Sequence, residues 1–299
     1  MSFTVRAPAK INLHLGVGAR REDGYHPLRT VYQAIGLYDD VTVFRSDRWR
    51  VAVEPIGDVD VSEVPLDESN IAIEAGKLLA AHHGQVLVAG IEINKGIPVA
   101  GGMAGGSADA AAALVGLDRL WDLGTSDDDM LAIAAELGSD VPFALLGGTA
   151  LGTGRGELVE PVLDNGDWWW LAITSTEGLS TAAVYREYDS LGLGDVPEVP
   201  MALLSALADG DVDDLADALS NDLLAPALTL RPALAEILQA GLDAGALATL
   251  LSGSGPTCLC LCRDQGHALA TKQSLLDDGF TAVLGAPGPV AGAHLVEYA

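Results

Sequence analysis

The sequence predicts an α+β protein built from two domains. Strand-like and helix-like segments are mixed along both halves of the chain, which is the pattern of this fold class. The length of 299 residues suits one large domain or two ordinary ones. A polar turn at 164–167 separates the halves. We therefore expect an N-terminal domain over residues 1–164 and a C-terminal domain over residues 165–299.

The elements of the first half follow from apolar periodicity and from helix start and stop signals. Alternating apolar residues predict strands at Val5–Leu15, Asp40–Phe44, Val51–Glu54 and Val86–Asn94. Apolar stripes with capping residues predict helices at Asn70–His83, at Ala108–Trp121 and from Ser126 to Gly138. The helix at 108–121 is apolar nearly all round, so we expect it to be buried.

The same signals organise the second half. They predict strands at Trp168–Thr174, Ala248–Ser252, Pro256–Cys262, Thr281–Leu284 and Gly292–Val296. They predict helices at Thr181–Leu191, Met201–Leu207, Val212–Leu219, Ala233–Ala244 and Gln265–Asp277. The three consecutive tryptophans at 168–170 should face both a core and a covering layer, because successive strand residues point to opposite faces.

The charge balance excludes two classes of partner. The chain has 42 acidic and 16 basic residues, a formal charge of -26. Nucleic acids and anionic membranes are bound by clustered Lys and Arg, and the sequence has no such cluster, so we expect neither. The sequence has no apolar run long enough to span a membrane and no signal-peptide pattern, which predicts a cytoplasmic protein. For the oligomeric state we expect a monomer or a weak homodimer.

The three cysteines predict a core strand rather than a metal site. Cys258, Cys260 and Cys262 alternate along one apolar segment, so their side chains share one face of a strand. A zinc site would require C-x2-C pairs and a fourth ligand. An odd count without a pairing pattern also argues against secretion.

Several common catalytic motifs are absent, because the sequence does not place their residues at the required spacing. No glycine cluster completes G-x-G-x-x-G, and no lysine closes a G-x-x-x-x-G-K-[ST] run. The hydrolase pattern G-x-S-x-G nearly forms at 105–109, but Asp109 stands where glycine is needed. Dinucleotide oxidoreductases, P-loop enzymes and serine hydrolases are therefore disfavoured.

A glycine-rich loop at 98–107 precedes the buried helix. Glycines let several backbone N–H groups converge on one oxygen-rich ligand, and the start of the helix adds a partial positive charge there. Lys95, one of only four lysines in the chain, comes just before the loop. The pattern favours a phosphate site, and a tight strand–helix connection is the alternative.

Lys10 and Asp140 are candidates for chemistry. Lys10 lies in an apolar strand, where it could protect a sheet edge, and Asp140 could cap a short helix. If both met near a phosphate loop, the lysine would neutralise a transferring phosphate and the aspartate would accept or orient a hydroxyl proton. Tyr25 and His26 follow a charged turn and could stack on a flat ring, although packing is the commoner use of such residues.

These segments resemble the motifs of the GHMP kinases, a family of small-molecule kinases that includes homoserine and mevalonate kinases. The resemblance is carried by Ala7–Leu13, Pro98–Ser107 and Leu251–Thr257. Asp23–His26 and Leu137–Phe143 narrow it to the member that phosphorylates a hydroxyl of a cytidine-diphosphate-linked sugar alcohol in the non-mevalonate isoprenoid route. The resemblance implies a ribosomal-protein-S5-domain-2-like N-terminal domain and a ferredoxin-like α/β sandwich at the C-terminus.

The resemblance also implies roles for matching residues. Lys10 and Asp140 take the catalytic positions, with ATP and Mg2+ as cofactors and Ser107 near phosphate or Mg2+. Asn12, Tyr25, His26, Thr181 and Tyr185 match the pocket of the cytidyl substrate. The ATP site would comprise Asn70 and Lys95 on the adenine side and, in the loop, Pro98, Val99, Ala100, Gly101, Gly102, Met103, Ala104, Gly105, Gly106, Ser107 and Ala108.

Three residues depart from the commonest family pattern. Met103 stands where leucine is commonest, and the departures at Ala104 and Ala108 bear more directly on the loop. Ala104 replaces a glycine, which the loop should tolerate if Ala104 keeps ordinary dihedral angles. Ala108 replaces a frequent second serine, so Ser107 would be the sole hydroxyl donor there. None of these departures affects Lys10 or Asp140.

Overall fold

The computed structural model describes residues 1–99, 101–175 and 177–296. The strands are β1 (Ser2–Val17), β2 (Leu28–Arg45), β3 (Arg50–Pro55), β4 (Ala89–Lys95), β5 (Thr149–Thr153), β6 (Leu158–Pro161), β7 (Trp168–Ile173), β8 (Ser220–Asn221), β9 (Ala248–Leu251), β10 (Cys258–Cys262), β11 (Val283–Gly288) and β12 (His294–Val296). The helices are α1 (Ile71–His82), α2 (Gly105–Trp121), α3 (Asp127–Leu137), α4 (Val141–Leu146), α5 (Thr181–Ser190), α6 (Met201–Asp209), α7 (Val212–Ala218), α8 (Leu224–Leu230), α9 (Ala233–Asp243) and α10 (Gln265–Asp277). The mixture of helices and sheets confirms the α+β class.

The strands form two sheets. The larger sheet has eight strands in the order β12-β1-β2-β4-β3, with β5 and β6 continuing from β2 and β8 beside β1. The smaller has four strands in the order β11-β7-β10-β9. The two halves are interleaved, because β8 and β12 come from the second half of the chain yet pair with β1. The predicted boundary at 164–167 does lie between β6 and β7.

Several elements differ from the sequence prediction. The strand predicted at Asp40–Phe44 is the end of the longer β2, and the strand predicted from Val86 begins at Ala89. The short elements α4, β5, β6, β8 and α8 were not predicted, because segments this short show no clear apolar period. Strand β11 runs past its predicted end through Pro287. It lies at the edge of its sheet, where a missing N–H is tolerated.

Helix α2 packs on the larger sheet, and the tryptophan strand β7 lies between the two cores. The alanines of α2 at 108 and 110–113 are fully buried, as its all-round apolar sequence predicted. Trp168 and Trp170 belong to the core beneath the larger sheet, and Trp169 packs against the second core. The indole N–H of Trp170 donates to Gln33 Oε1 on β2 at 2.9 Å. The tryptophans thus contact a core on each face, as predicted. In the part of the chain that the structure describes, no helix is both long and apolar enough to cross a membrane.

Candidate active site

Strand β1 carries Lys10 into the interior, where it meets Asp140. Lys10 is 7% exposed, and its ammonium donates to Asn12 Oδ1 at 2.8 Å and lies 3.5 Å from Asp140 Oδ2. Asp140 stands at the N-cap of α4 and makes no capping hydrogen bond with its side chain. Lys10 is therefore not a solvated edge lysine, and the cost of burying it is offset by these oxygen partners.

The orientation of Asn12 is set by a short chain of hydrogen bonds. Its side-chain NH2 donates to Thr30 Oγ1 at 2.7 Å, and the Thr30 hydroxyl donates to the carbonyl of His14 at 2.7 Å. With its NH2 group occupied, Asn12 turns its oxygen toward Lys10. A β-bulge between Asn12 and His14 shifts the pairing of β1 with β2 directly after this point. Bulges commonly re-aim side chains in this way.

Tyr32 on β2 completes the surroundings of Asp140. Burial first, and then the negative charge of the nearby Asp140 carboxylate, hold the pKa of Tyr32 well above its ordinary value. The phenol therefore stays protonated. The Lys10 nitrogen lies 5.2 Å from the centre of the Tyr32 ring. A side chain on Gly156 would meet the Tyr32 hydroxyl at 2.2 Å, so glycine is required there.

The glycine loop is bound to both halves of the chain. At Lys10, β1 has a free edge between the short strands β12 and β8, and the backbone N–H of Lys10 donates to the carbonyl of Met103 at 3.1 Å. The Ser252 hydroxyl donates to the carbonyl of Gly102 at 3.0 Å. Gly102 has φ +75, and a Cβ there would lie 2.6 Å from the carbonyl oxygen of Ser252. The segment at 252–257 thus packs directly on the loop.

The expectation for Ala104 was wrong. Ala104 has φ +57 and ψ +35, a left-handed conformation, and it stands at the N-cap of α2. Glycine is the residue that adopts this conformation without steric cost. Helix α2 consequently begins at Gly105, rather than near Ser107.

The loop residues differ in what they expose. The side chains of Met103 and Ala108 are fully buried, so only their backbone groups can face a ligand. Ser107 lies half-buried in the first turn of α2, and its hydroxyl makes no hydrogen bond within the described ranges. Ala100 lies outside the described residues.

Two cavities meet at the loop. The smaller has a volume of about 430 Å3 and is lined by Asn70, Lys95, Asp109 and most of the loop. The larger has a volume of about 800 Å3 and contains Lys10, Asp140 and the residues predicted for the acceptor pocket. Gly102 and Ala104 line both cavities. Lys10 and Asp140 line the larger cavity, and the backbone of Lys10 is bound to Met103, between the two residues that both cavities share.

The two residues predicted for the adenine side are held by protein partners. Lys95 donates to Asp39 at 2.5 Å and to Asp109 at 2.8 Å. Burial disfavours its charge, but these carboxylates outweigh burial and raise the pKa of Lys95. Asn70 caps α1 by accepting from the N–H of Ala72 at 3.0 Å. Both line the smaller cavity, and their direct contact with ATP stays a prediction.

The predicted acceptor residues all line the larger cavity. Tyr25 is 52% exposed, and the Arg155 guanidinium lies 4.9 Å from the centre of its ring. His26 is buried against Tyr185, with ring centres 5.0 Å apart. The hydroxyl of Thr181 is 2.8 Å from that of Ser254, which ties the start of α5 to the glycine segment.

Sequence reasoning missed three groups at the site. Tyr32 is one, and Asp189, whose carboxylate lies 2.8 Å from His26 Nε2, is another. The third is a set of three arginines that line the larger cavity: Arg20, Arg155 and Arg186. With only 16 basic residues against 42 acidic ones, each arginine was a candidate for binding an anion. The sequence does not show that these three lie together, because they are far apart along the chain.

The comparisons with known proteins agree with this arrangement. Residues 70–148 match the family model for the N-terminal domain of GHMP kinases, and residues 203–279 match the model for their C-terminal domain. The first range includes the glycine loop and Asp140, and the second includes the segment at 252–257 that packs on the loop. The fold and the matched domains define a kinase that phosphorylates small molecules.

Close relatives narrow this class. A 4-diphosphocytidyl-2-C-methyl-D-erythritol kinase from a Nocardioides species is 60% identical over 298 residues, covering 99% of this chain and all of its own. A crystal structure of a 4-(cytidine 5'-diphospho)-2C-methyl-D-erythritol kinase has a TM-score of 0.77 at 31% identity, covering 96% of this chain and 98% of its own. The chain belongs to the GHMP kinase family, in its branch of 4-diphosphocytidyl-2-C-methyl-D-erythritol kinases, which confirms the resemblance seen in the sequence.

A homoserine kinase shares only the fold. The crystal structure of the enzyme from Cytophaga hutchinsonii has a TM-score of 0.75 at 19% identity, covering 99% of this chain and 97% of its own. Likeness of fold therefore does not separate the possible acceptors, and the residues lining the larger cavity must do so.

Proposed function

We propose that this chain transfers the γ-phosphoryl group of ATP to the 2-hydroxyl of 4-diphosphocytidyl-2-C-methyl-D-erythritol, a step of the non-mevalonate isoprenoid route. The observation that carries the proposal is that Lys10 and Asp140 line the larger of two cavities that share the loop residues Gly102 and Ala104. One cavity would hold ATP and the other the acceptor. A relative that is 60% identical over 99% of this chain bears the name of this kinase.

ATP would bind in the smaller cavity with its phosphates on the loop. The exposed N–H groups at the start of α2 and the partial positive charge of a 17-residue helix suit an anion. The buried pairing of Lys95 with Asp39 and Asp109 would support the loop from beneath rather than supply a free cation to it. The phosphate interpretation of the loop is therefore favoured over that of a simple connection.

Asp140 and Lys10 would act on the two partners of the transfer. Asp140 accepts or orients the proton of the attacking 2-hydroxyl. The oxygen of that hydroxyl forms a bond to the γ-phosphorus, and the bond between the γ-phosphorus and the ADP oxygen breaks. Lys10 neutralises charge on the transferring group. Lys10 donates a hydrogen bond to Asn12 and lies 3.5 Å from Asp140, so the Lys10 side chain is held in place before substrate arrives.

The loop offers Mg2+ one side-chain oxygen ligand, the hydroxyl of Ser107. Mg2+ prefers oxygen ligands and keeps several water molecules, with phosphate oxygens supplying much of its shell. The Ser107 hydroxyl, half-buried at the helix start, is such a ligand and would hold the ion beside the ATP phosphates. When bound, Mg2+ would neutralise phosphate charge. In the described part of the chain, no group of three His, Cys, Asp or Glu side chains could hold a metal by itself.

The larger cavity suits a cytidine diphosphate. Tyr25 and Tyr185 offer aromatic faces near His26, which is useful for a flat base. Arg20, Arg155 and Arg186 bring three positive charges to this cavity in a protein of net charge -26, and arginine is well suited to phosphate oxygens. Asn12 and Thr181 line the part nearest Lys10 and the glycine segment.

The same proposal covers the location, the partners and the domain organisation of the enzyme. The enzyme would work in the cytoplasm, without nucleic-acid or membrane partners, as a monomer or weak homodimer. Residues 1–164 and 165–299 would form its two domains, with β8 and β12 of the second completing the sheet of the first.

One coupled assay of ADP release tests the function. The purified chain, ATP and Mg2+ are combined with the cytidyl diphosphate substrate, with homoserine or with mevalonate. We expect turnover with the cytidyl substrate alone, since the other two have no base to stack. Turnover of homoserine or mevalonate would assign the chain to another acceptor. Absence of turnover with all three would favour a non-catalytic sensor. The presence of both Lys10 and Asp140 argues against a sensor, because sensing does not require both residues.

A further inference from the structure

His26 and Asp189 form a pair at the base end of the larger cavity. The distance between His26 Nε2 and Asp189 Oδ1 is 2.8 Å, and both residues line the cavity. The His26 ring is held between Tyr185, 5.0 Å away, and the edge of Tyr188, 5.9 Å away. His26 is only 8% exposed, so its ring has one preferred orientation.

This contact decides which nitrogen of His26 carries the proton. A carboxylate only accepts hydrogen bonds, so Nε2 must be the protonated nitrogen. In the neutral ring the other nitrogen, Nδ1, is then an acceptor. Nδ1 makes no hydrogen bond to any of the residues that the structure describes, and a lone pair is therefore available to a ligand in the cavity.

We propose that Asp189 is a positioning residue that sets the base preference of the site through His26. Cytosine presents an amino group at N4, which donates, whereas uracil presents a carbonyl oxygen at the same position, which accepts. An Nδ1 lone pair binds the cytosine amino group and faces the uracil oxygen with like charge. Asp189 thus favours a cytidyl over a uridyl substrate without touching the base. This inference rests on the proposed function.

The effect of Asp189→Asn follows from the donors and acceptors of an amide. The asparagine NH2 can donate to Nε2, which moves the ring proton to Nδ1 and turns that nitrogen into a donor. Nδ1 then matches the uracil oxygen and opposes the cytosine amino group. Glu187→Gln removes the same charge from the same helix, outside the lining of the two cavities, and serves as the matched control.

The first experiment measures kcat and KM for the cytidyl substrate and for its uridyl analogue. In Asp189→Asn we expect kcat/KM for the cytidyl substrate to fall about tenfold, the scale of one lost hydrogen bond. The loss should appear in KM, and the preference for cytidyl over uridyl should shrink. Equal losses for both substrates, with the preference unchanged, would overturn the inference while leaving the proposed function intact. Failure of the unaltered chain to use the cytidyl substrate would contradict both.

The second experiment observes the tautomer directly. Nitrogen-15 spectra of histidine-labelled protein at pH 8 distinguish a protonated ring nitrogen from a bare one, and His26→Gln identifies the His26 signals. We expect a protonated Nε2 and a bare Nδ1 in the unaltered chain and in Glu187→Gln, and a mixture of tautomers in Asp189→Asn. A protonated Nδ1 in the unaltered chain would overturn the inference.

Discussion

The ammonium nitrogen of Lys10 lies 3.5 Å from a carboxylate oxygen of Asp140. Lys10 reaches this point from strand β1 and Asp140 from the start of α4, and the Asp140 side chain is 30% exposed toward the larger cavity. Lys10 is thus fixed by protein contacts, and Asp140 faces the cavity in which a substrate would bind. A positive charge and a carboxylate at this distance can serve both ends of a phosphoryl transfer.

Asp140→Asn should lower turnover much more than ATP binding. The amide cannot accept the hydroxyl proton, and we expect kcat to fall by at least ~10²-fold, the scale of lost acid–base assistance. ATP lies mainly in the other cavity, so its dissociation constant, measured by calorimetry, should change only a few-fold. Near-normal kcat in a variant with an unchanged thermal midpoint would remove Asp140 from the proposed mechanism.

His26→Ala should weaken the acceptor and spare ATP. The imidazole lines the larger cavity and is absent from the lining of the smaller one, so the KM for the cytidyl substrate should rise while that for ATP stays nearly constant. His82→Ala is the control, because His82 is a partly exposed residue at the end of α1. Equal increases in both KM values would contradict a role for His26 in holding the base.

Ala104→Gly should stabilise the protein. Ala104 has φ +57, and a left-handed conformation costs an alanine about 1 kcal/mol that glycine avoids. Ala132→Gly makes the same chemical change at an exposed site inside α3, where it should destabilise by about 1 kcal/mol. Urea unfolding measures both. A loss of stability in Ala104→Gly equal to that in Ala132→Gly would show that Ala104 carries no strain.

Lys95→Met should destabilise the protein in a pH-dependent manner. It leaves Asp39 and Asp109 buried without a cation, and breaking a buried ion pair costs roughly 3–5 kcal/mol. Burial already raises the pKa of both carboxyls above 3.8, and losing Lys95 should raise them further. The folded state then binds protons that the unfolded state has released, so stability falls as pH rises from 3.8 toward the folded pKa values.

Urea unfolding at pH 5 and pH 8 tests whether the stability of Lys95→Met falls as the pH rises. The loss caused by Lys95→Met should be larger at pH 8. Lys77→Met is the control, because its ion pair with Glu68 is largely exposed and such pairs contribute little. A loss at pH 5 equal to or greater than that at pH 8 would contradict the assignment of charge to this cluster.

The three cysteines should resist alkylation in the folded protein. Burial raises the pKa of Cys258 to about 12 and that of Cys262 to about 11, and it also raises that of Cys260. At pH 8 a raised pKa means less thiolate, the reactive form, and all three side chains are fully buried. Mass spectrometry after iodoacetamide treatment should find label only when denaturant is present. Rapid labelling of the native protein would contradict this burial.

The predictions from sequence succeeded where the signal was local. The glycine loop, the long helix after it and the alternating cysteines each have a pattern that is visible within a short window. Ala104 shows the limit of such patterns, because the alanine itself gives no sign that the chain is left-handed at that residue. The short helices α4 and α8 were not predicted for a similar reason. Tertiary packing stabilises such short helices, and their sequences show no clear apolar period.

By itself, the sequence determined the fold class, the family and the catalytic candidates Lys10 and Asp140, since motif residues keep their spacing along the chain. Only the tertiary structure decided how each side chain is held. Strand pairing brings Tyr32 beside Asn12 and Lys10, and the fold brings Asp189 of α5 to His26. It also assigns Lys95 to two buried carboxylates rather than to an open site. The physical reason is that hydrogen bonds and ion pairs depend on distance in space, which a single sequence does not record for residues far apart along the chain.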